Sequence, residues 1–182
     1  MTRLIILDRD GVINEDSDDY IRSVDEWIPV PGSIEAIARM SKAGFTIAVA
    51  TNQSGIGRGY YPLSELFAMH DKMNRLVQAQ GGHIACIKYC PHTPDEGCQC
   101  RKPETGLVEQ IELDLNLSAS GAWFVGDSLK DLQCAERKHC QPVLVKTGKG
   151  KRTLAKGEEL DDVPVFESLA EFADHLLTLP LT

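Results

Sequence analysis

Apolar residues along this chain follow two alternating rhythms. Short apolar runs at Leu4–Leu7, Phe45–Ala50, Ile84–Tyr89, Ala122–Val125 and Pro142–Val145 read as strands buried on both faces. Between them apolar positions recur at helical spacing. The first set is Ile34, Ile37, Ala38 and Ser41; the second is Leu66, Met69, Met73, Leu76 and Val77; the third is Leu107, Val108, Ile111 and Leu115. A fourth helix is predicted over Leu129–His139. Ser33 is the predicted cap of the first helix and Gly44 its close, while Pro62 opens the second and Gly81-Gly82 stops it. Residues 147–162 (TGKGKRTLAKGEELDD) carry neither rhythm and are predicted to be surface loop. Strands alternating with helices favour right-handed crossovers. The expected fold is therefore α/β, a doubly wound, Rossmann-like parallel sheet with helices on both faces.

In such a sheet ligands gather at the carboxyl ends of the strands. The polar residues just past the predicted strands are Asp8 and Asp10, Thr51 and Asn52, Arg101 and Lys102, and Asp127. Two aspartates in DRDG are by themselves an ordinary turn. Together with a hydroxyl, a lysine and a further carboxylate from separate strands, they match what phosphoryl transfer requires. That reaction takes a nucleophile, an acid for the leaving oxygen, a cation for the phosphoryl oxygens, and magnesium. The spacing leaves open which of Asp8 and Asp10 attacks.

Composition narrows the setting. The chain has 182 residues with 42% hydrophobic content, which suits one domain over residues 1–182. A net charge of -8 gives no general attraction to nucleic acid or anionic membrane, and no apolar run is long enough for a span or a signal peptide. The expected location is the cytoplasm, where six cysteines stay reduced. Cys90, His92, Cys98 and Cys100 have the types and spacing of a closed tetrahedral zinc site. Such a site leaves no position for water, so the zinc is expected to be structural, a clip that orders the loop ahead of Arg101 and Lys102. Cys86, Cys134 and Cys140 read as packing residues.

Four motifs in order, LDRDG (7–11), ATNQSGI (50–56), CRKP (100–103) and VGDSLKDL (125–132), resemble those of the haloacid dehalogenase superfamily of phosphatases. The resemblance implies that Asp8 is the nucleophile and Asp10 the general acid and base. It also implies that Thr51 and Lys102 hold the phosphoryl group, and that Asp8, Asp127 and the Asp10 carbonyl bind Mg2+. Asp131 is expected to orient Lys102 or the metal's waters. The intervals 11–33 and 53–64 are too short for a large cap domain, so the cap is minimal. DRDGVIN, TNQSGIGRG and the CPH…CxCRKP loop are similar to the D-glycero-D-manno-heptose 1,7-bisphosphate phosphatases, a branch shared with the histidinol-phosphate phosphatases. That similarity implies a small sugar phosphate substrate and removal of its 7-phosphate on the route to lipopolysaccharide core. Substrate contacts are expected from Asn52, Gln53, Ser54, Arg101 and Lys102, and from Asp16 and Asp19 of a short flap; Trp27 would anchor that flap by packing. The chain is expected to act as a monomer.

Three other readings compete. Histidinol-phosphate hydrolysis would use the same catalytic set. A signalling receiver also gathers aspartates, threonine and lysine, but its phosphorylated aspartate lies on a later strand, and the order here differs. A catalytically silent zinc-stabilised binding protein is opposed by the intact Asp8, Asp10, Lys102 and Asp127. A P-loop kinase has no support, because no GxxxxGK[ST] occurs.

Overall fold

The structure, a computed structural model, describes residues 2–180. Among them, six parallel strands form one sheet in the order β3-β2-β1-β4-β5-β6. They are β1 (Leu4–Leu7), β2 (Thr46–Asn52), β3 (Cys86–Cys90), β4 (Trp123–Gly126), β5 (Gln141–Val145) and β6 (Val165–Phe166). The helices are α1 (Ser33–Lys42), α2 (Ser54–Gly57), α3 (Leu63–Ala79), α4 (Gly106–Leu115), α5 (Leu129–Arg137), α6 (Gly150–Lys156) and α7 (Leu169–Leu176). This is the α/β architecture expected from the alternating rhythms.

The twofold alternation of a strand explains why the runs are apolar throughout. Ile5, Leu7, Ile47, Val49 and Val125 face one side, where they join Ile37, Met73 and Phe172 of α1, α3 and α7. Leu4, Ile6, Ala48, Ala50 and Phe124 face the other side and pack with Leu107, Ile111 and Ala135 of α4 and α5. Pairing aligns Ile6 with both Ala48 and Phe124, so β1 lies between β2 and β4. Asp8 follows β1 and Asp127 follows β4, which brings these two carboxylates to the same rim at neighbouring strand ends.

Two local expectations fail, and α2, β6 and α7 are not among the predicted elements. Ser33 is the first residue of α1 and does not cap it; Gly32 occupies the cap with φ 87. The Ser33 hydroxyl instead donates to the Val12 carbonyl at 2.8 Å, tying α1 to the flap. Residues 147–162 are not wholly loop, since they contain α6. Gly150 and Thr153 are its only buried residues, so no apolar period betrays it. The short α2 also leaves no period. The flap between β1 and α1 has no regular element, only bridges from Asn14 to Asp10 and Pro29. Trp27, fully buried in the core, anchors it. The Lys72 ammonium donates to the carbonyls of Trp27 and Val24 at 2.6 and 3.1 Å.

Candidate active site

The rim is organised around one buried ammonium. Lys102 is 2% exposed and donates to Asp8 Oδ1 at 3.0 Å, Asp131 Oδ1 at 2.6 Å and the Ala50 carbonyl at 2.7 Å. Burial favours its neutral amine, but the charges of Asp131 and Asp8 outweigh that and raise its pKa well above the usual lysine value. Asp8 also accepts from the Arg9 backbone N–H at 2.8 Å. Burial first, then repulsion from Asp131, raises Asp8 well above the carboxylate range even with Lys102 beside it. Asp127 is pushed up to about 7 by burial and then by Asp131.

Asp8, Asp127 and Asp131 each bring an oxygen within 4.8 Å of the others. Three buried carboxylates against one lysine leave a local excess of negative charge, which a divalent cation with oxygen ligands would relieve. Asp131 has little capacity left to bind one. Its Oδ1 takes Lys102, and its Oδ2 accepts from the Asp127 and Ser128 N–H groups and the Ser128 hydroxyl. Asp8 and Asp127 remain as the carboxylate donors.

The Asp10 carboxylate faces a different set of groups. Its Oδ1 accepts from Arg9 Nε at 3.1 Å, Arg9 Nη2 at 2.8 Å and Asn14 Nδ2 at 2.9 Å, while its Oδ2 accepts from Gln53 Nε2 at 3.0 Å. Burial would raise the Asp10 pKa, but the Arg9 charge and the hydrogen bonds from Asn14, Arg9 and Gln53 lower it. Arg9 is itself 0% exposed and continues inward, its Nη1 lying 3.2 Å from His70 Nε2. Burial and the Arg9 charge push His70 down to about 3, so the ring is neutral and accepts the guanidinium N–H.

Asp127 is held by the segment expected to be loop. Its Oδ2 accepts from the Lys149 N–H at 2.8 Å, and its carbonyl accepts the Thr153 hydroxyl at 2.7 Å. Gly11 and Gly148, with φ +87 and +56, press against the carboxylate; a Cβ at either would fall 2.0 or 2.4 Å from Oδ2. Only glycine combines that backbone conformation with that approach.

The cysteine loop sets Lys102 from the opposite side. Cys90 Sγ lies 3.4 Å from His92 Nδ1, 3.6 Å from Cys98 Sγ and 3.1 Å from Cys100 Sγ, and His92 Nδ1 is 3.2 Å from Cys100 Sγ. These separations suit ligands at the corners of one tetrahedron. Burial would raise the Cys98 thiol, but the Arg101 and Cys100 N–H groups bring it down to about 7, whereas burial holds the Cys90 and Cys100 thiols above their usual value.

A cleft of about 780 Å³ opens above Asp8 and Asp10. Of the predicted substrate contacts, Asp16, Asn52, Gln53, Ser54, Arg101 and Lys102 line it. Asp19 is exposed and lies outside the lining, and Thr51 is fully buried behind it, its hydroxyl oxygen accepting from Gln53 Nε2 at 2.9 Å. Asn52 is engaged with the chain itself. Its Nδ2 donates to the Lys102 carbonyl at 3.1 Å and its Oδ1 accepts the Lys102 N–H at 2.9 Å. Asp16 is paired with Lys149 at 2.9 Å. Arg101 keeps a buried Nη1 with no hydrogen-bond partner among the described residues. Lys130 lines the same cleft, its pKa lowered by burial and then by the Arg101 charge. Sequence reasoning missed Arg9, Lys130, the Lys149–Thr153 support and Tyr61, whose hydroxyl donates to Gln53 Oε1. The position of Arg9 between two rim aspartates was an available signal; the others had none.

Known proteins resemble this chain in sequence and fold. A family profile described as HAD-hydrolase-like matches residues 99–172. The D-glycero-beta-D-manno-heptose-1,7-bisphosphate 7-phosphatase of Pseudomonas aeruginosa is 60% identical over 174 residues, 96% of this chain and 97% of its own. The chain belongs to this family of HAD-like phosphatases. A Neisseria meningitidis relative with the same activity in its name is 53% identical over 96% of this chain and 95% of its own. The crystal structure of the Bordetella bronchiseptica D,D-heptose 1,7-bisphosphate phosphatase, complexed with magnesium and phosphate, superposes with TM-score 0.93 at 49% identity. It covers 98% of this chain and 99% of its own. Membership of this phosphatase family rests on similarity along nearly the whole chain, not on the four motifs alone.

The neutral His70 makes a testable contribution to acid stability. With a folded pKa near 3 and an ordinary value of 6.5, its stabilisation is complete above 6.5 and is lost as pH falls through the window toward 3. In that window the unfolded chain binds the extra proton, which costs up to about 1.4 kcal/mol per pH unit. Urea melts from pH 7 to 4 should show a shallower loss for His70→Gln than for the native chain. Parallel pH profiles would refute the assignment.

Proposed function

We propose that the chain hydrolyses the 7-phosphate of D-glycero-β-D-manno-heptose 1,7-bisphosphate, with magnesium, through a phosphoryl group carried by Asp8. The β anomer is the one in the curated relatives' names. The observation that carries the reading is Lys102 bridging Asp8 and Asp131 while Asp10 is clamped separately by Arg9, Asn14 and Gln53. Two neighbouring aspartates are thereby held by different partners, Asp8 beside Lys102 and the cation site and Asp10 turned toward Arg9, Asn14 and Gln53, so that each can take a separate role.

Magnesium, when bound by Asp8, Asp127 and the Asp10 carbonyl, offsets the repulsion between the carboxylate and an anionic phosphate. Asp8 attacks phosphorus, while Lys102 and the Thr51 hydroxyl hold the phosphoryl oxygens. Asp10, ionised at rest, takes up a proton from solvent as the anionic group arrives, since a like charge raises a carboxyl pKa. It gives that proton to the leaving sugar oxygen and then takes one from the water that attacks the phosphoryl-Asp8. Asp131 fixes Lys102 and the Asp127 backbone. Arg101 and Lys130 supply cations for the distal phosphate, and Ser54 lies along the sugar's path.

Cys90, His92, Cys98 and Cys100 are proposed to hold a structural zinc, and the closed donor set leaves it no substrate position. The remaining particulars are that a single domain over residues 1–182 acts as a cytoplasmic monomer in lipopolysaccharide core synthesis. Among the described residues no helix is long and apolar enough to cross a membrane.

Phosphate release should be compared for both heptose bisphosphate anomers, fructose 1,6-bisphosphate and histidinol phosphate. The β heptose bisphosphate should be preferred, with phosphorus NMR showing the 7-phosphate lost and the 1-phosphate retained. Arg101→Ala should lower kcat/KM for the bisphosphate by roughly tenfold to a hundredfold, mainly through KM, and narrow its advantage over a monophosphate. Preference for histidinol phosphate would overturn the substrate assignment.

The zinc clip predicts about one zinc per chain. Cys98→Ser should loosen residues 90–103 to hydrogen exchange and depress turnover, and added magnesium should not restore either. Full activity and unchanged exchange in zinc-free protein would refute the clip.

A further inference from the structure

Gln53 looks like a substrate contact because it lines the cleft, but its side chain has almost nothing left to offer a substrate. It is 3% exposed. One Nε2 hydrogen goes to Asp10 Oδ2 at 3.0 Å and the other to Thr51 Oγ1 at 2.9 Å, while Oε1 accepts the Tyr61 hydroxyl at 2.5 Å. A carboxylate only accepts, so Asp10 fixes which end of the amide faces it, and Tyr61 fixes the other end. The donors on Asp10 are unequal. Oδ1 receives three N–H groups, from Arg9 and Asn14, which fill its lone pairs. Oδ2 receives only the Gln53 amide.

From this geometry we infer that Asp10 carries its catalytic proton on Oδ2 and that Gln53, braced by Tyr61, is the positioning residue that aims this oxygen. The inference rests on the phosphatase reading above and adds where the proton sits and what directs it. In the first step a bond forms between an Asp8 oxygen and phosphorus and the ester P–O bond breaks. The departing oxygen keeps the electron pair and takes the proton from Oδ2. In the second step a water oxygen bonds to phosphorus, its proton goes to Oδ2, and the P–O bond to Asp8 breaks to release phosphate. Gln53 serves both steps by holding one lone pair of Oδ2 so that the other meets the reacting oxygen. The same amide also donates to Thr51 Oγ1 at 2.9 Å, and the Thr51 hydroxyl's own hydrogen makes only a long contact of 3.5 Å with the Asn52 carbonyl.

The test uses leaving groups that need the proton to different degrees. Gln53→Met keeps the length of the side chain and removes all three hydrogen bonds. Single-turnover rates are measured for aryl phosphates of graded leaving-group pKa and for an alkyl sugar phosphate. The variant's deficit should grow with leaving-group pKa, from slight for 4-nitrophenyl phosphate to about tenfold to a hundredfold for the alkyl ester. The loss should lie in the rate and not in KM. Tyr61→Phe, which retains the amide, should give the same trend with a smaller slope, and it carries the test alone if Gln53→Met does not fold by circular dichroism. An equal deficit across the series, or a deficit confined to KM for the sugar phosphate, would overturn the inference. A native chain that released phosphate from no monoester would instead remove the phosphatase reading itself.

Discussion

A single buried ammonium facing three buried carboxylates constrains everything at this rim. Lys102 cannot be hidden without partners, and Asp8 and Asp131 cannot be hidden without it, so each group makes the others' burial tolerable. The balance is incomplete by design of the strand ends. Burial and the nearby Asp131 carboxylate hold the Asp8 and Asp127 pKa values above the usual carboxylate range, and a divalent cation between them would offset that repulsion. Asp10, a residue apart, escapes the same fate because Arg9 turns it into a separate pocket of positive charge.

Placing that ammonium takes several elements that never touch substrate. Lys102 lies on an irregular loop, which has no ladder to fix it. Asn52, at the end of β2, pins its backbone with two hydrogen bonds. The Cys3His cluster closes the loop two residues upstream, and the Asp131 carboxylate receives its head from α5. The loop thus inherits the rigidity of two neighbouring elements. Asp127 is treated likewise, gripped by Lys149 and Thr153 and crowded by two glycines.

The sequence made the sheet legible because strands buried on both faces must be apolar throughout, and helices covering them must repeat every three to four residues. The rim was legible because strand ends in such a sheet converge, so Asp8, Asp10, Lys102 and Asp127 could be grouped across the chain. Support made of single hydrogen bonds left no period to read. The helix α6 buries a threonine and a glycine, and Tyr61 reaches Gln53 from outside any motif. Ser33 misled for a related reason: its hydroxyl could serve either a helix end or a distant carbonyl, and Val12 was invisible as a competitor. Asn52 and Gln53 carried motif identity but not their partners, which are protein groups and not substrate.

The division of roles between two neighbouring aspartates is the central claim, and it can be read directly as mass. Asp10→Asn removes the acid and the base together. With 4-nitrophenyl phosphate the first step needs no acid, so the second should stall. Acid-quenched protein, digested and weighed, should then carry one phosphoryl group on the peptide containing Asp8, localised to that residue by fragmentation. A variant that releases a burst of 4-nitrophenol yet carries no adduct, or carries it on any residue other than Asp8, would contradict the account.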